Sequence, residues 1–151
     1  MNMNNTLHNP ETEEWVRRVR SIVPDIIEWR EVAEENRHLP KELAHALRDA
    51  GLFRLWVPKM LGGPEVGPHT MVAVVEELAR HDGSVAWTLM ASANSALLAA
   101  YLPLDGAREV FGPADSIVAG SLHPSGNAKA VSGGFRVTGR WRLASGVLNA
   151  T

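Results

Sequence analysis

The run Leu143-Ala144-Ser145-Gly146 combines small side chains with a single hydroxyl group. Backbone N–H and C=O groups beside such small residues are accessible, so a flat ligand can approach the main chain closely there. A second candidate follows the apolar run at 117–122, where residues 123–126 (His-Pro-Ser-Gly) expose backbone groups that no helix uses. These two places predict a site that holds a planar ligand by its edges and its face.

Three polar residues, Ser92, Asn94 and Ser95, interrupt the most apolar helical stretch of the chain. A buried hydroxyl or amide costs free energy unless it finds a hydrogen-bond partner. The favoured interpretation is bonding to the backbone or to a neighbouring helix. The alternative is that these side chains face a ligand.

Other residue types with catalytic potential point to no site. Glu76 and Glu77 are adjacent, so on a helix they point about 100° apart, and the spacing favours a solvated polar face over an acid–base pair. The six histidines form no i, i+4 ligand pair, and they are interpreted as surface residues. The sequence lacks the glycine motifs of serine hydrolases, P-loop proteins and Rossmann folds. We therefore predict no metal site and name no catalytic residue.

Composition excludes several classes of protein. The chain has 151 residues, a net charge of -2 and no cysteine, so it has no basic surface for nucleic acid and no thiolate metal site. Its apolar runs are shorter than the roughly 18–20 residues of a membrane span, and residues 1–10 do not resemble a signal peptide. These features are typical of a soluble cytoplasmic protein.

Apolar spacing predicts a helical bundle. The first helix begins at Thr12, and Pro24 either kinks it or opens a second helix that runs toward Asn36. The later helices are predicted over residues 40–50, 68–81, 85–101 and 104–111. Val85, Leu89, Ala93, Leu97 and Tyr101 recur every four residues, which predicts a buried central helix.

The C-terminal part is rich in Gly, Ser and Val and predicts strands. One strand is expected over residues 117–122, and an alternating strand follows the Gly133-Gly134 turn through Trp141 and Leu143. We predict an α+β chain, mainly α, with a disordered tail at 1–10, a helical domain at 11–113 and the first strands of an incomplete β-barrel domain at 114–151. So few strands cannot bury both faces of a sheet.

Several motifs in order resemble the N-terminal helical domain and the opening of the middle β-domain of the acyl-CoA dehydrogenase superfamily. They read LPKELAHALRDAGLFRLWVPKMLGGPEVG, VVEELARHDGSVAWTLMASA, AGSLHPSGNA and GGFRVTGRWRLASG. The similarity extends from Leu39 to Thr151 and is greatest to the flavin-dependent monooxygenase branch. Those two-component hydroxylases show the same Asp-Gly-Ser, Ala-Trp and Gly-Arg-Trp-x-x-Ala-Ser-Gly patterns.

The resemblance implies roles for particular residues. Leu122, His123 and Pro124 stand where dehydrogenases have the Thr-Glu-Pro that meets the flavin pyrimidine, and only the proline matches. Leu143, Ala144 and Ser145, with Gly146, stand where an aromatic-Ile-Thr-Asn segment lies along the flavin ring with its hydroxyl near N5. The hydroxyl is kept at Ser145. These departures favour the hydroxylase branch over acyl-CoA dehydrogenation.

In that branch the substrate lies between the helical domain and the flavin, which implies that Trp87, Ser92 and Asn94 line the substrate pocket. The cofactor is FAD or FMN, a flavin reductase is the implied partner, and the full-length enzymes are homo-oligomers acting on small organic substrates. The rest of the barrel and the C-terminal bundle are missing here, so we expect a truncated form that binds flavin weakly or not at all. The alternatives are an acyl-CoA dehydrogenase fragment and a non-catalytic helical interaction module.

Overall fold

A computed structural model describes residues 9–121, 123 and 125–151, which form six α-helices and one antiparallel hairpin. The elements are α1 (Pro10–Ser21), α2 (Val23–Asn36), α3 (Lys41–Asp49), α4 (Pro68–His81), α5 (Gly83–Asn94), α6 (Leu104–Phe111), β1 (Gly126–Val131) and β2 (Gly134–Gly139). This confirms the predicted mainly helical α+β class. Within the described residues, no helix is both long enough and apolar enough to cross a membrane.

Local sequence explains most helix boundaries. Pro24 lies in the first turn of α2, so the second of the two alternatives for this proline is correct. The expected start at Thr12 is wrong, because Asn9 caps α1 by accepting a hydrogen bond from the Glu11 N–H. Thr12 is buried instead, and its hydroxyl bonds that of Thr70 on α4 at 2.8 Å.

The core lies where α1, α3, α4 and α5 meet. Its fully buried side chains are Val19, Leu43, Leu47, Leu52, Leu55, Val74, Leu78 and Leu89. Asp82 separates α4 from α5 and caps α5, since its carboxylate accepts hydrogen bonds from the N–H groups of Ser84 and Val85. The cap fixes where α5 begins and therefore which of its side chains face the C-terminal segment.

The predicted helix over 85–101 is partly wrong. α5 ends at Asn94, and the chain continues as a 3₁₀ helix over Ser95–Tyr101. A 3₁₀ helix has about three residues per turn, so the four-residue spacing no longer follows one face. Leu97 and Tyr101 are consequently exposed, Tyr101 by 84%, while Ala96 and Ala99 are buried.

The β-structure is a hairpin whose twelve strand residues are all exposed. Its register pairs Gly126 with Gly139 and Val131 with Gly134. The predicted strand at 117–122 does not form over 117–121. The backbone of Ile117 pairs with Thr151 instead: its N–H donates to Thr151 Oγ1, and its carbonyl accepts from the Thr151 N–H. The second strand also ends at Gly139, before Trp141 and Leu143.

An ion-pair cluster joins α1 to α4 and corrects the prediction for Glu77. Glu77 is buried, and its carboxylate accepts from Arg20 Nε at 2.7 Å and from Arg80 Nη1 at 3.2 Å. The Arg20 guanidinium is the main reason that the pKa of Glu77 lies below its usual range. Glu76 is exposed, as expected, and pairs with Arg80.

We expect Glu77 to make stability depend on pH. A carboxyl whose pKa is lowered by folding stabilises the protein above its unfolded pKa of about 4.3, and that contribution is lost as the pH falls through the folded value. Glu77→Gln should therefore be about 1–2 kcal/mol less stable than the parent at pH 7, with a smaller difference near pH 3. Urea unfolding at several pH values measures this, and Glu76→Gln is the matched control. Equal effects of both variants would contradict it.

Candidate functional site

The exposed side of α5 faces the turn at residues 144–146. Trp87 is 59% exposed, and its indole Nε1–H donates a hydrogen bond to Ser145 Oγ at 3.1 Å. One residue predicted to contact substrate thus touches one residue predicted to contact the cofactor. The two lie 58 positions apart in the sequence and meet only through the fold.

Gly146 allows this turn to approach α5 closely. Its φ of +78° lies in the left-handed region, and a Cβ at this position would stand 2.9 Å from Ser92 Oγ and 3.4 Å from Thr88 Cγ2. Ser92 is only 2% exposed, so its hydroxyl lies beneath the turn. Any side chain at position 146 would push the turn away from α5.

The polar residues of the apolar helix do not all bond to the backbone. Ser95 does, because its hydroxyl donates to the Ala91 carbonyl at 3.3 Å. Ser92 Oγ and Asn94 Oδ1 are buried and have no hydrogen-bond partner among the described residues. The predicted backbone bonding is therefore correct for Ser95, while the two orphaned oxygens fit a place where a ligand supplies the missing partner.

Two serines hold the predicted cofactor segments side by side. Ser121 Oγ donates to the Arg142 carbonyl at 3.1 Å, and Ser125 Oγ donates to the Arg140 carbonyl at 2.9 Å. Between them His123 is exposed, and its N–H donates to Ser121 Oγ at 3.4 Å. The predicted Leu122 and Pro124 lie outside the described residues.

The residue before the turn has an unusual backbone. Leu143 has a φ of +57°, and its side chain is 94% exposed. Non-glycine residues rarely adopt this conformation, and such strain concentrates at functional sites. Ala144 and Ser145, by contrast, are half-buried against the helical part.

A cavity of about 250 Å³ adjoins the turn, and its lining includes Arg37, Trp87, Thr88, Ser145 and Gly146. It is smaller than the roughly 300–1,000 Å³ of sites that enclose a drug-sized ligand, so its lining, called the wall below, could form only part of such a site. Four larger cavities, of about 800, 770, 520 and 420 Å³, include none of the predicted site residues in their described lining.

Sequence reasoning missed three contributors to this wall. Thr88 packs against Gly146, Arg37 lines the cavity, and Asn149 Nδ2 donates to the Leu39 carbonyl at 2.9 Å, which ties the segment after the turn to the α2–α3 linker. No sequence signal identifies Arg37 or Asn149. For Gly146, the position in a run of small residues indicated that its main chain can be approached closely.

The chemistry available here is binding and orientation. The wall offers the hydroxyls of Ser145 and Thr88, the main chain around the turn, an indole at Trp87 and the guanidinium of Arg37, a set that suits a flat polar heterocycle better than a metal ion. Across residues 9–121, 123 and 125–151, no group of three or more His, Asp or Glu side chains could hold a metal ion.

The fold is a helical bundle whose fifth helix packs against a small-residue turn that follows a β-hairpin. Sequence comparison identifies the family of proteins to which this chain belongs. Residues 9–110 match the family model described as acyl-CoA dehydrogenase, N-terminal domain. The chain therefore belongs to the acyl-CoA dehydrogenase family.

Its relatives include monooxygenases. The chain is 35% identical over 118 residues to indole-3-acetate monooxygenase of Pseudomonas putida, covering 78% of this chain and 30% of the relative. It is 27% identical over 137 residues to the oxygenase subunit HsaA, a flavin-dependent monooxygenase of Rhodococcus jostii, covering 90% and 36%.

The structure of XiaF from Streptomyces sp. in complex with FADH2 and glycerol superimposes with a TM-score of 0.88 at 30% identity. That superposition covers 97% of this chain and 37% of XiaF. The chain thus spans about a third of the length of the relatives that it matches.

Proposed function

We propose that this chain is the N-terminal portion of a flavin-dependent monooxygenase that acts on a small organic substrate. The observation that carries the proposal is the contact between α5 and the turn at 144–146, which joins Trp87 to Ser145 across two predicted domains. The monooxygenase names of its relatives support this branch over acyl-CoA dehydrogenation. We place the domain boundary near residue 114 and the protein in the cytoplasm.

The proposed flavin, FAD or FMN, would lie against Ala144, Ser145 and His123, with Leu122, Pro124 and Leu143 as further contacts. When bound in its reduced form, the flavin would supply the two electrons that activate molecular oxygen. The residues of the chain would orient the ring, since Ser145 offers a hydrogen bond and the main chain packs against a planar face. An XiaF structure that contains FADH2 supports this cofactor class.

The proposed substrate would meet α5 on the side of Trp87, Ser92 and Asn94. The buried, unpaired oxygens of Ser92 and Asn94 support a polar contact with a ligand there. In the complete enzyme we propose a homo-oligomer supplied with reduced flavin by a separate reductase, because relatives are described as oxygenase subunits and components.

A hybrid enzyme tests the function directly. Residues 9–151 would replace the corresponding segment of XiaF, whose backbone superimposes closely. We expect the hybrid to bind reduced flavin and to consume oxygen in the presence of a flavin reductase. A hybrid that circular dichroism shows to be folded, but that binds no flavin, would contradict the proposal.

The isolated chain should bind flavin weakly or not at all, because it supplies only one wall of the site. Calorimetric titration with FAD and with FMN measures this. Dissociation constants in the micromolar range or below would contradict the expectation and would show that the described wall is sufficient.

A second candidate is a non-catalytic helical interaction module. It is favoured by apolar residues that cluster in space and are exposed around the 3₁₀ helix, namely Leu97, Leu98, Tyr101, Leu102 and Leu104. Size-exclusion chromatography with light scattering separates the two candidates. A stable dimer that forms without flavin favours the module, and a monomer favours the enzyme portion.

A further inference from the structure

The cavity beside the turn at 144–146 has one formally charged lining residue among those that the structure describes, and that residue is Arg37. None of its described lining residues is an aspartate or a glutamate. The guanidinium of Arg37 makes no hydrogen bond or ion pair with any residue in the described ranges. A cation that borders a cavity without a carboxylate attracts an anion to that cavity.

The backbone of Arg37 is unusual. Arg37 ends α2 with a φ of 55° and a ψ of 29°, in the left-handed region where glycine is the usual residue. In the described part of the chain, three non-glycine residues have a positive φ, and two of them, Arg37 and Leu143, lie at this cavity or directly before its turn. An arginine in a position where glycine would be less strained indicates a use for its side chain.

Hydrogen bonds hold the linker that carries Arg37 against the segment after the turn. Asn149 Nδ2 donates to the Leu39 carbonyl at 2.9 Å. His38 Nδ1 lies 2.9 Å from the Asn36 carbonyl and must donate to it, because a carbonyl can only accept. Leu39 is also buried in the core. The backbone of Arg37 is therefore set beside the turn before any ligand binds.

A neighbouring cavity of about 770 Å³, which Arg37 also lines, has a different charge balance. Its lining includes Glu34 and Asp82, whose two carboxylates balance the charges of Arg30 and Arg37. Asp82 Oδ2 lies 3.9 Å from Arg30 Nε, so that pair is formed already. An anion is therefore favoured on the side of the turn, where no described carboxylate competes for Arg37.

We propose that the cavity beside the turn binds the carboxylate of a small aromatic acid, with Arg37 as the residue that selects the negative charge. This inference rests on the proposed function and names the class of its substrate. The guanidinium would donate to the carboxylate oxygens, and the exposed indole of Trp87 would pack against the ring. A volume of about 250 Å³ equals that of roughly eight water molecules, which is room for one ring with its acidic group.

The first test titrates the ¹⁵N-labelled chain, without flavin, with benzoate and with benzamide, which has the same ring and no charge. Benzoate should shift the indole N–H resonance of Trp87, which Trp87→Phe identifies. It should also bind about tenfold more tightly than benzamide, the effect of one charge-assisted hydrogen bond. Acetate, which lacks the ring, should bind more weakly than benzoate. Equal affinity of benzoate with either of the other two ligands, or no shift with any of them, overturns the inference.

Substitutions of Arg37 test its role in this preference. Arg37→Gln should reduce the preference for benzoate over benzamide to less than about twofold, and Arg37→Lys should keep part of it. Arg136→Gln removes an exposed arginine of β2 and is the matched control, which should keep the full preference. A preference that survives in Arg37→Gln overturns the inference.

Arg37→Gly separates ligand binding from folding. Because glycine relieves the left-handed backbone, this variant should unfold at the same or a higher urea concentration than the parent and still lose the preference for benzoate. Unfolding at a lower urea concentration would show that the side chain serves the fold, and would overturn the inference.

The hybrid enzyme distinguishes this inference from the proposed function. A hybrid that binds reduced flavin but shows no preference for benzoate over benzamide overturns the inference and leaves the proposed function standing. A folded hybrid that prefers benzoate but binds no flavin overturns the proposed function and supports the acid-binding site at Arg37.

Discussion

Arg54→Met should lower the free energy of unfolding by about 3–5 kcal/mol, because one buried guanidinium satisfies acceptors from three parts of the chain. Arg54 is only 8% exposed. The two protons of its Nη1 are shared among the carbonyls of Phe111 and Pro113 and Ser116 Oγ, and its Nη2 donates to the Leu61 carbonyl, all within 3.2 Å.

The charge of Arg54 is retained despite its burial. Desolvation lowers the pKa of Arg54 and Asp115 partly offsets this, but an arginine remains protonated at neutral pH. Methionine would fill part of the space and leave the carbonyls of Leu61 and Phe111 and the Ser116 hydroxyl without this donor, while the Pro113 carbonyl keeps its hydrogen bond from the Ser116 N–H. Urea unfolding followed by helical circular dichroism measures the loss.

Arg108→Met is the matched control for Arg54→Met. Arg108 lies on α6 and is exposed, and it pairs with the fully exposed Asp105. We expect a change within about 0.5 kcal/mol for this variant. Similar losses for the two variants would show that the carbonyls around Arg54 find other donors, and would contradict the role assigned to it.

Gly63→Ala should lower the free energy of unfolding by about 3 kcal/mol, the second of the two largest effects. A Cβ at this position would lie 2.0 Å from the Val57 carbonyl oxygen and 2.4 Å from Val57 Cβ. Val57 is buried, and its carbonyl accepts a hydrogen bond from the Glu65 N–H, so neither atom can move without breaking the loop.

Gly67→Ala isolates the steric part of the Gly63 effect. Gly67 is exposed, and no atom lies within 4 Å of the Cβ that alanine would add. This variant should unfold within about 0.5 kcal/mol of the parent. The prediction for Gly63 is wrong if both alanine variants unfold at the same urea concentration.

The helices were predictable where local signals agree. Pro68 begins α4 and Asp82 follows its last residue. Pro103 precedes α6, and Gly112 and Pro113 follow it. Both helices therefore occur over the residues that the sequence indicated. Asp82 caps α5, so that helix begins at Gly83, two residues before its predicted start. These features depend on atoms within one turn of helix, which a sequence displays directly.

Features that depend on tertiary contacts were not predictable. Glu77 was assigned to a solvated face because periodicity cannot show that Arg20 of another helix would pair with it. The change from α- to 3₁₀-helix after Asn94 has no sequence signal, and it exposes Tyr101. Arg54 lies in the apolar run at residues 52–58, and nothing local indicates that three of its four acceptors come from residues 111–116.

The candidate site likewise has features that the sequence predicted and features that it could not. Its residue types were recognisable, because Ser145 and Gly146 belong to a small-residue run and Trp87 and Ser92 to one helix. Their contacts could not be deduced, since the Trp87–Ser145 bond joins residues 58 positions apart. The roles that all of these residues, and His123, Ala144 and Asn94, would have toward a ligand stay predictions.

The all-exposed hairpin has a thermodynamic consequence for the whole molecule. Its strand residues pack on each other rather than on the helical core, so opening it exposes little additional apolar surface. The hairpin and the bundle should therefore melt as separate cooperative units. A two-state fit to a helix signal would then describe only the bundle, and amide exchange along 126–139 would run close to the rate of an unstructured peptide.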